Sequence, residues 1–307
     1  MPESKLEQRL AQGDVIILDG GMGAELKGRG LEWRYRELWA TNALLFEPDM
    51  VRTLHQEYIE AGARVITVNS YGAYRLKLET AGLGDRTVEL NRLAVTLAQE
   101  ARDNVKPDHQ VWIAGSLSHL SGFGPLSSVP TFDPKAIDAA DTARREYGEQ
   151  AEALAEAGVD LIIAESIPGP FEARLAAEAA AGTGVPTWAA IYTTSDGRAR
   201  SGETMSQVAE ELKGVGVSAI LVFHSSVENC DTGLRELQKV FPGATGVYVE
   251  SGGWERYHLG FSNVISPIDY LEHCCRWVGM GAQIIGGCCG IGPNHIEVLS
   301  ANLPSRV

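Results

Sequence analysis

The sequence predicts a single (β/α)8 barrel, and three observations lead to that prediction. The chain of 307 residues contains eight short apolar runs, rich in β-branched residues, that are closed by Gly, Ser, Asn, Asp or Cys. Segments with helical spacing separate these runs, and several end in Ala-Gly or Val-Gly, where a helix stop with a left-handed glycine belongs. Continuous apolar strands that alternate with helices favour parallel pairing through right-handed crossovers, and eight such units point to a closed barrel.

The predicted strands follow one another through the whole chain. In order they are VIILDGG at 15–21, VITVNSY at 65–71, VWIAGSL at 111–117, DLIIAES from 160, PTWAAIYT from 186, AILVFHS from 219, GVYVESGG from 246 and AQIIGGCC from 282. The helical segments between them include PDMVRTLHQEYIEAGA, VELNRLAVTLAQEARDN, TARREYGEQAEALAEAGV and PIDYLEHCCRWVGMGA. An open, doubly wound sheet is the structural alternative, but no strand is followed by a GxGxxG turn. We therefore expect one catalytic barrel domain that spans residues 1–307.

Composition and charge narrow the class of protein. The chain is 44% hydrophobic and 21% charged, its N-terminus is charged, and no run of about eighteen apolar residues occurs, so we expect a cytoplasmic protein. Five cysteines, an odd number, make a poor disulfide framework and leave thiols free for a metal or for catalysis. The net charge of −14 and the absence of a basic run argue against nucleic acid or an anionic membrane as a partner. A homo-oligomer, by default a dimer, is the expected assembly.

Polar residues follow the apolar runs at the point where each predicted strand ends. Active sites of (β/α)8 barrels lie at the C-terminal ends of the strands, so these side chains should share one central opening. A long loop rich in Gly, Pro and Ser, at 118–138, follows the third strand and is a candidate lid or substrate wall. The residues that end the runs are Asp19, Asn69, Ser70, Glu165, Ser166, His224, Glu250, Cys288 and Cys289.

The adjacent cysteines in IIGGCCGIG are the strongest single chemical signal. Two thiolates on a tight turn flanked by glycines can both bind one zinc ion, which favours sulfur ligands. A strained vicinal disulfide and a pair of buried core cysteines are the alternatives. Cys274 and Cys275 lie inside an apparent helix, where neighbouring residues face different directions, so we interpret them as packing residues.

Four motifs together resemble the homocysteine S-methyltransferase family, which includes betaine and S-methylmethionine enzymes and the homocysteine module of methionine synthase. They are DGGMGAEL, EYIEAGARVITVNSY, AGVDLIIAESIP and IIGGCCGIGPNHI, and they extend from the first strand to the last. The resemblance implies a barrel in which zinc binds the sulfur of homocysteine. A methyl group is then taken from a sulfonium, a quaternary ammonium or a folate.

The third zinc ligand is where the sequence departs from that family. The family has a cysteine, in an Asn-Cys pair, shortly after the sixth strand, whereas AILVFHSSVENC places Phe223 and His224 at that point. Cys230 follows six residues after His224 and would need the loop to fold back. Ligand type and position favour His224 with Cys288 and Cys289, and Cys230 stays open as the alternative to His224.

The first two strands and the fourth supply the rest of the predicted pocket. By resemblance, Asp19 and Glu165 hold the amino group of an amino-acid substrate, and together with Tyr71 they are the predicted catalytic residues. Trp39 is either an aromatic face for a methylated cation or a core residue. In DGGMG, the backbone N–H groups can approach a ligand and accept a carboxylate. The predicted substrate-binding set is Asp19, Gly20, Gly21, Met22, Asn69, Ser70, Glu165 and Trp39.

The sequence therefore predicts a zinc-dependent S-methyltransferase with a small onium donor and a thiol acceptor, homocysteine by default. AGSLSHLSGFG and VYVESGGW depart from the S-methylmethionine branch on substrate-facing loops, so the donor and even the thiol acceptor stay open. A metal-dependent hydrolase is one rival, although no H-x-H pair occurs in the chain. A barrel that has lost its metal and only binds a small molecule is the other.

Overall fold

The computed structural model describes residues 5–120, 138–227, 230–254 and 261–307, without the side chains of residues 224, 225, 254 and 261. Within these ranges, eight parallel strands form one sheet and two more form a small antiparallel pair. The strands of the parallel sheet are β1 Ile16–Ile17, β2 Val65–Thr67, β3 Trp112–Ser118, β4 Leu161–Ile167, β5 Thr187–Tyr192, β6 Val217–Ser226, β7 Ala244–Glu250 and β10 Ile284–Gly287. The pair consists of β8 Gly253–Trp254 and β9 Phe261–Ser262.

The parallel sheet curves into a barrel. Its strand order is β1-β10-β7-β6-β5-β4-β3-β2, and a parallel bridge between Leu18 and Val65 joins its two edges. Each strand is followed by at least one helix before the next strand of the barrel begins. The predicted (β/α)8 barrel is thus confirmed, and all eight predicted strands are present.

Helices cover the outside of the barrel, and one closes its lower end. None of the helices in the described ranges has the length and apolarity that a membrane span needs. They are α1 Lys5–Ala11, α2 Met22–Gly28, α3 Thr41–Phe46, α4 Pro48–Glu60, α5 Arg75–Glu79, α6 Thr87–Val105, α7 Ala139–Ala157, α8 Pro170–Gly182, α9 Met205–Glu211, α10 Cys230–Gln238, α11 Pro267–Gly279 and α12 Pro293–Asn302, with 3₁₀ turns at Arg36–Leu38 and Gly84–Arg86.

The alternation of side chains along the strands creates two apolar cores. Residues such as Trp188, Leu221 and Ile284 fill the barrel interior, where Leu6 and Leu10 of α1 join them. Their neighbours in sequence, such as Ala189, face the outer core between the sheet and the helices. The inner core buries one face of each strand, and the outer core buries the other. Burial on both faces explains why the predicted strands are continuously apolar.

Left-handed glycines end several helices where the sequence predicted stops. Gly62 after α4, Gly158 after α7 and Gly281 after α11 have φ values of 102°, 91° and 100°. A residue with a Cβ is strained at such φ values, so these Ala-Gly and Met-Gly segments turn the chain back toward the next strand.

Candidate active site

The C-terminal ends of the strands, hereafter the barrel mouth, bring together residues that are far apart in sequence. Register pairs Tyr192 of β5 with Phe223 of β6, and Phe223 with Tyr248 of β7, so these three residues lie side by side. Phe223 and Tyr248 belong to the inner core, with ring centroids 4.3 Å apart. The aromatic layer they form is the floor of the mouth, because the strands end just above it.

Glu165 is a buried carboxylate at this level. It pairs in register with Ser118 of β3, and only 7% of its surface is exposed. The Ser116 hydroxyl donates to one carboxylate oxygen, and the Tyr248 hydroxyl donates to the other at 2.9 Å. Two hydroxyl donors from different strands therefore fix the orientation of the Glu165 side chain.

Backbone strain follows directly after Glu165. Ser166 is fully buried and has φ 60°, which is rare for a residue with a side chain. The pairing of β4 with β5 shifts register between Ala164 and Ile167, so Ser166 lies in an irregularity of the strand. Such irregularities redirect side chains and are common at functional sites.

Asp19, after β1, is the second buried carboxylate at the mouth, with 4% of its surface exposed. It accepts hydrogen bonds from the Thr67 backbone N–H at 2.7 Å and from the Thr67 hydroxyl at 3.1 Å. Burial raises the pKa of Asp19 to about 8, and the nearby charge of Glu165 acts in the same direction. No Lys or Arg in the described residues forms a salt bridge with Asp19. A buried carboxylate in this position favours a cationic ligand.

The turn that carries Cys288 and Cys289 is locked to its neighbours by backbone hydrogen bonds. The Cys288 N–H donates to the Val249 carbonyl at 2.7 Å, and the Ser251 N–H donates to the Cys289 carbonyl at 2.9 Å. Cys288 is half-buried and packs against the inner core, whereas Cys289 is 8% exposed. Neither cysteine forms a disulfide, so the vicinal disulfide is not present in this structure.

The cysteine turn also touches the glycine turn after β1. The Gly21 N–H donates to the Ile291 carbonyl at 2.9 Å, so this N–H holds the two turns together instead of pointing to a ligand. A Cβ on Gly21 would lie 2.6 Å from the Cys288 carbonyl oxygen, and one on Gly20 would lie 2.1 Å from that of Ile291. The hydroxyl of the fully buried Tyr58 donates to the Ile291 carbonyl at 3.2 Å. The glycines of DGGMG therefore permit close packing of two turns.

The two candidates for a third metal ligand lie in different places. His224 is on β6, one residue after Phe223, and its backbone is separated from the Cys288 turn by β7 alone; its side chain is outside the described part. Cys230 is fully buried in the outer core, and its thiol donates to the Ser226 carbonyl at 3.2 Å. Among the side chains that the structure describes, no three of His, Cys, Asp and Glu lie together as a metal site.

Of the remaining predicted site residues, Asn69 and Ser70 fix loops, and Tyr71 lies at the side of the mouth. The Asn69 amide donates to the Ala40 carbonyl at 2.9 Å, and the Ser70 hydroxyl donates to the Ser116 carbonyl at 2.8 Å, so both fix loops. Tyr71 is half-buried, and its ring meets that of His119 edge-on at 6.0 Å. The predicted lid falls mostly at 121–137, outside the described residues.

Trp39 also lies beside the glycine turn. Its ring is 4.0 Å from the position that a Cβ on Gly23 would occupy, and it stacks on Trp33 with centroids 5.6 Å apart. Trp39 is half-buried with φ 48°, and its carbonyl accepts a hydrogen bond from the buried Asn42 amide at 2.9 Å. Met22 begins α2, the helix that follows this turn. An aromatic face is thus held near the mouth by contacts that sequence reasoning did not identify.

Sequence reasoning missed three residues that shape the site. Ser116 and Tyr248 orient Glu165, and Tyr58 braces the two turns. Tyr248 could have been found from its spacing, because it lies two residues before Glu250 on an alternating strand and therefore faces the same side. Tyr58 carries no such signal, since its helix has many residues with the same spacing.

Comparisons of this sequence with known protein families and with curated proteins identify the same family. The sequence profile of the homocysteine S-methyltransferase family matches residues 16–303. Homocysteine S-methyltransferase 3 of Zea mays is 27% identical, with 95% of this chain and 91% of the relative covered. Selenocysteine Se-methyltransferase of Brassica oleracea var. italica is 26% identical, with 96% and 90% covered.

A solved structure agrees with these relatives. The metallated form of the homocysteine methyltransferase MmuM from Escherichia coli superposes with a TM-score of 0.81 and 25% sequence identity, covering 97% of this chain and 99% of that one. The match extends over nearly the full length of both chains. This chain therefore belongs to the homocysteine S-methyltransferase family and is a methyltransferase that acts on thiols.

Proposed function

We propose that the protein is a zinc-dependent S-methyltransferase that moves a methyl group from a small onium compound to homocysteine, giving methionine. The observation that carries the proposal is a shared opening. The Tyr248 hydroxyl donates to Glu165, Cys288 packs against the inner core that contains Tyr248, and the N–H of Gly287, next to Cys288, donates to the Asp19 carbonyl at 3.0 Å. Sulfur ligands and a site for an ammonium group therefore lie within reach of one small molecule.

The donor set suits a catalytic zinc site. Two free thiols on a rigid turn, one of them half-buried, supply two of the three protein ligands that such sites use. We assign the third position to His224, with Cys230 as the alternative. The outer-core position of Cys230 supports this order, because its loop would have to rearrange. When bound, zinc would act as a Lewis acid that makes the substrate thiol ionise at neutral pH.

The protein groups around that position bind and orient the two substrates. Asp19 and Glu165 would take the ammonium group of the acceptor, which places its thiol toward the cysteine turn. Trp39, Tyr71 and Tyr248 offer aromatic surface, which attracts a methylated cation. In the reaction, a carbon–sulfur bond forms to the acceptor, and the onium centre keeps the electron pair of the broken bond and leaves neutral. The thiol proton passes to solvent.

Zinc content measured together with activity tests the proposal. Protein purified under reducing conditions should carry close to one zinc per chain, and His224→Ala should lose both the zinc and the methyl transfer to homocysteine. Cys230→Ala serves as the matched control and should retain both. Loss of zinc only in Cys230→Ala would move the third ligand to that residue. No zinc in any of the three proteins would refute the zinc-dependent mechanism.

The acceptor and donor are tested separately from the metal. Relatives named as selenocysteine methyltransferases favour a second acceptor, so we expect measurable transfer to selenocysteine as well as to homocysteine. A panel with S-methylmethionine and glycine betaine as donors and both acceptors would identify the pair with the highest kcat/KM. A zinc-bearing protein with no transfer from any donor in the panel would instead indicate another donor class.

A further inference from the structure

The end of β5 forms part of the mouth that the proposed function does not use. Tyr192, its last residue, pairs in register with Phe223 and so faces the barrel interior. Its ring is half-buried, in contrast with the fully buried Trp188 four residues earlier on the same face. Tyr192 therefore lies at the top of the lumen, where a substrate would enter.

Arg200 is held above this ring. Its guanidinium carbon lies 5.0 Å from the Tyr192 ring centroid, within the range of a cation–π contact. Its backbone N–H donates to the Tyr192 carbonyl at 2.9 Å, which ties the returning chain to the end of the strand. The position of Arg200 is thus set from both its side chain and its backbone.

The hairpin that carries Arg200 is fixed to the loop after β4. The Ser201 N–H and the Ser201 hydroxyl both donate to the Pro168 carbonyl at 2.9 Å. A Cβ on Gly169 would collide with the Ser201 hydroxyl, so the two loops are in close contact. Because Pro168 follows shortly after Glu165, this packing joins the hairpin of Arg200 to the strand that carries the carboxylate we assign to the acceptor.

The barrel mouth carries several carboxylates, among them the buried Asp19 and Glu165 and, at the end of β7, Glu250. Burial raises the pKa of Tyr192, and the charge of Glu250 acts in the same direction while that of Arg200 opposes it. Arg200 therefore brings a guanidinium to an acidic mouth. A guanidinium is suited to bind a carboxylate through two parallel hydrogen bonds.

We propose that Arg200 is the specificity-determining residue that binds the carboxylate of the methyl donor, so that the enzyme selects carboxylated onium compounds over onium compounds without a carboxylate. The inference rests on the proposed function, since it concerns the donor half of the same site. It adds a recognition group for the donor to the ammonium site that Asp19 and Glu165 form for the acceptor.

Arg198 provides a matched control on the same hairpin. Its guanidinium donates to the Gly202 carbonyl at 3.0 Å and lies 3.7 Å from the Asp196 carboxylate, so its contacts stay within the hairpin. Arg200→Gln and Arg198→Gln remove the same charge from positions two residues apart. Arg200→Lys keeps the charge and removes the planar pair of donors.

The experiment compares donors in pairs. S-methylmethionine is paired with (3-aminopropyl)dimethylsulfonium, which keeps the ammonium group and lacks only the carboxylate. Glycine betaine is paired with ethyltrimethylammonium, and homocysteine is the acceptor throughout. Arg200→Gln should lower kcat/KM for the carboxylated donor by about 10- to 100-fold, as expected for loss of a charge-assisted bond, and change that for its partner by less than about 2-fold. Arg198→Gln should leave both within about 2-fold of wild type, and Arg200→Lys should lie between.

Two results would overturn the assignment. One is an equal loss for both members of a pair, which would indicate a structural role. The other is unchanged kcat/KM for carboxylated donors. The KM for homocysteine should stay constant in Arg200→Gln, and a rise confined to that KM would place Arg200 on the acceptor instead.

Binding measurements keep this inference distinct from the proposed function. If wild-type protein transfers no methyl group from any of these donors, the proposed function fails for them, and calorimetry with the same sulfonium pair still tests Arg200. Tighter binding of S-methylmethionine than of (3-aminopropyl)dimethylsulfonium, lost in Arg200→Gln, would support the carboxylate site. No difference between the two ligands in wild type would refute it.

Discussion

Asp19 and Glu165 are both buried carboxylates at the barrel mouth, but their surroundings differ. Glu165 receives hydroxyl groups on both oxygens, from Ser116 and Tyr248. Asp19 accepts hydrogen bonds from the N–H and hydroxyl of Thr67, and burial raises its pKa to about 8. In the absence of ligand, Asp19 therefore holds a proton over most of the neutral range.

Binding of a cationic ligand should therefore release the proton from Asp19. An ammonium group favours the charged carboxylate and lowers its pKa, so a ligand with an ammonium group should displace the proton at pH 7. Methionine is the suitable ligand because it has no thiol proton of its own. Calorimetry in two buffers of different ionisation enthalpy should show this release, and methionine affinity should rise with pH up to about 8. In Asp19→Asn the release should disappear, whereas the exposed Asp196→Asn should retain it.

The same pKa shift links Asp19 to stability, with a definite sign. The folded-state pKa lies above the ordinary value of 3.8, so rising pH ionises the unfolded chain first and favours it between about 4 and about 8. Asp19→Asn should therefore increase the free energy of unfolding at pH 8 relative to wild type and change it little at pH 4. Denaturant titrations at the two pH values measure this, and equal effects at both would contradict the burial of a protonated Asp19.

Residues that directly follow an apolar run stand out in the sequence, whereas the contacts of residues inside a run depend on how the strands pair. Asp19, Glu165, Cys288 and Cys289 stand out because each is a polar or reactive residue directly after an apolar run. Tyr248 lies inside such a run, where a large ring is expected to pack, and its hydroxyl contact with Glu165 depends on the register of strands that are far apart in sequence. The choice between His224 and Cys230 likewise depends on how the chain folds after β6.

At the scale of elements, the strands and the turns that follow them position the chemistry. The sequence located all eight barrel strands, because continuous apolar runs between helices are a strong pattern. It did not indicate the structure between α2 and α4, which contains a 3₁₀ turn and α3. That segment lacks a helical or strand period, and its shape depends on Asn42, whose side chain exchanges hydrogen bonds with the Tyr35 backbone and bonds the Trp39 carbonyl.

The contact between the glycine and cysteine turns leads to a prediction about Gly21. Gly21→Ala places a Cβ 2.6 Å from the Cys288 carbonyl oxygen and 3.0 Å from the Cys289 Cα, and backbone atoms in a locked turn cannot move aside cheaply. We expect at least about a 10-fold loss of zinc affinity and of kcat/KM, together with a lower free energy of unfolding by about 1–3 kcal/mol.

Gly148→Ala is the control for this substitution. Gly148 lies inside α7, and a Cβ there would meet no atom within 4 Å. The change should stabilise the protein by about 0.5–1 kcal/mol and leave zinc binding unchanged. Wild-type zinc affinity in Gly21→Ala would show that the close packing of the two turns is not needed for the metal site.

At the scale of the whole molecule, the barrel separates stability from chemistry along its axis. The reactive residues lie at the C-terminal ends of the strands, whereas α1 closes the N-terminal end with Leu6 and Leu10. These leucines pack in the same inner core as Ile16 and Trp112 near the beginnings of their strands, and the Gln283 side chain donates to the Leu10 carbonyl. The inner core is thus continuous from α1 to Tyr248 and Cys288, although only its upper end carries reactive groups.

This arrangement predicts that the N-terminal end of the barrel affects folding without affecting catalysis. Leu6 is 1% exposed, so Leu6→Ala should lower the free energy of unfolding by about 2–5 kcal/mol, the usual range for deleting a buried leucine side chain. At 25 °C the remaining folded protein should keep kcat/KM within about 2-fold of wild type, because α1 closes the end of the barrel opposite the mouth. Urea unfolding and initial-rate assays on the same preparation test both halves. Trp188, Leu221 and Ile284 pack between α1 and the mouth, and we expect this rigid packing to keep changes at α1 from reaching the mouth. A large fall in kcat/KM with unchanged stability would contradict that expectation.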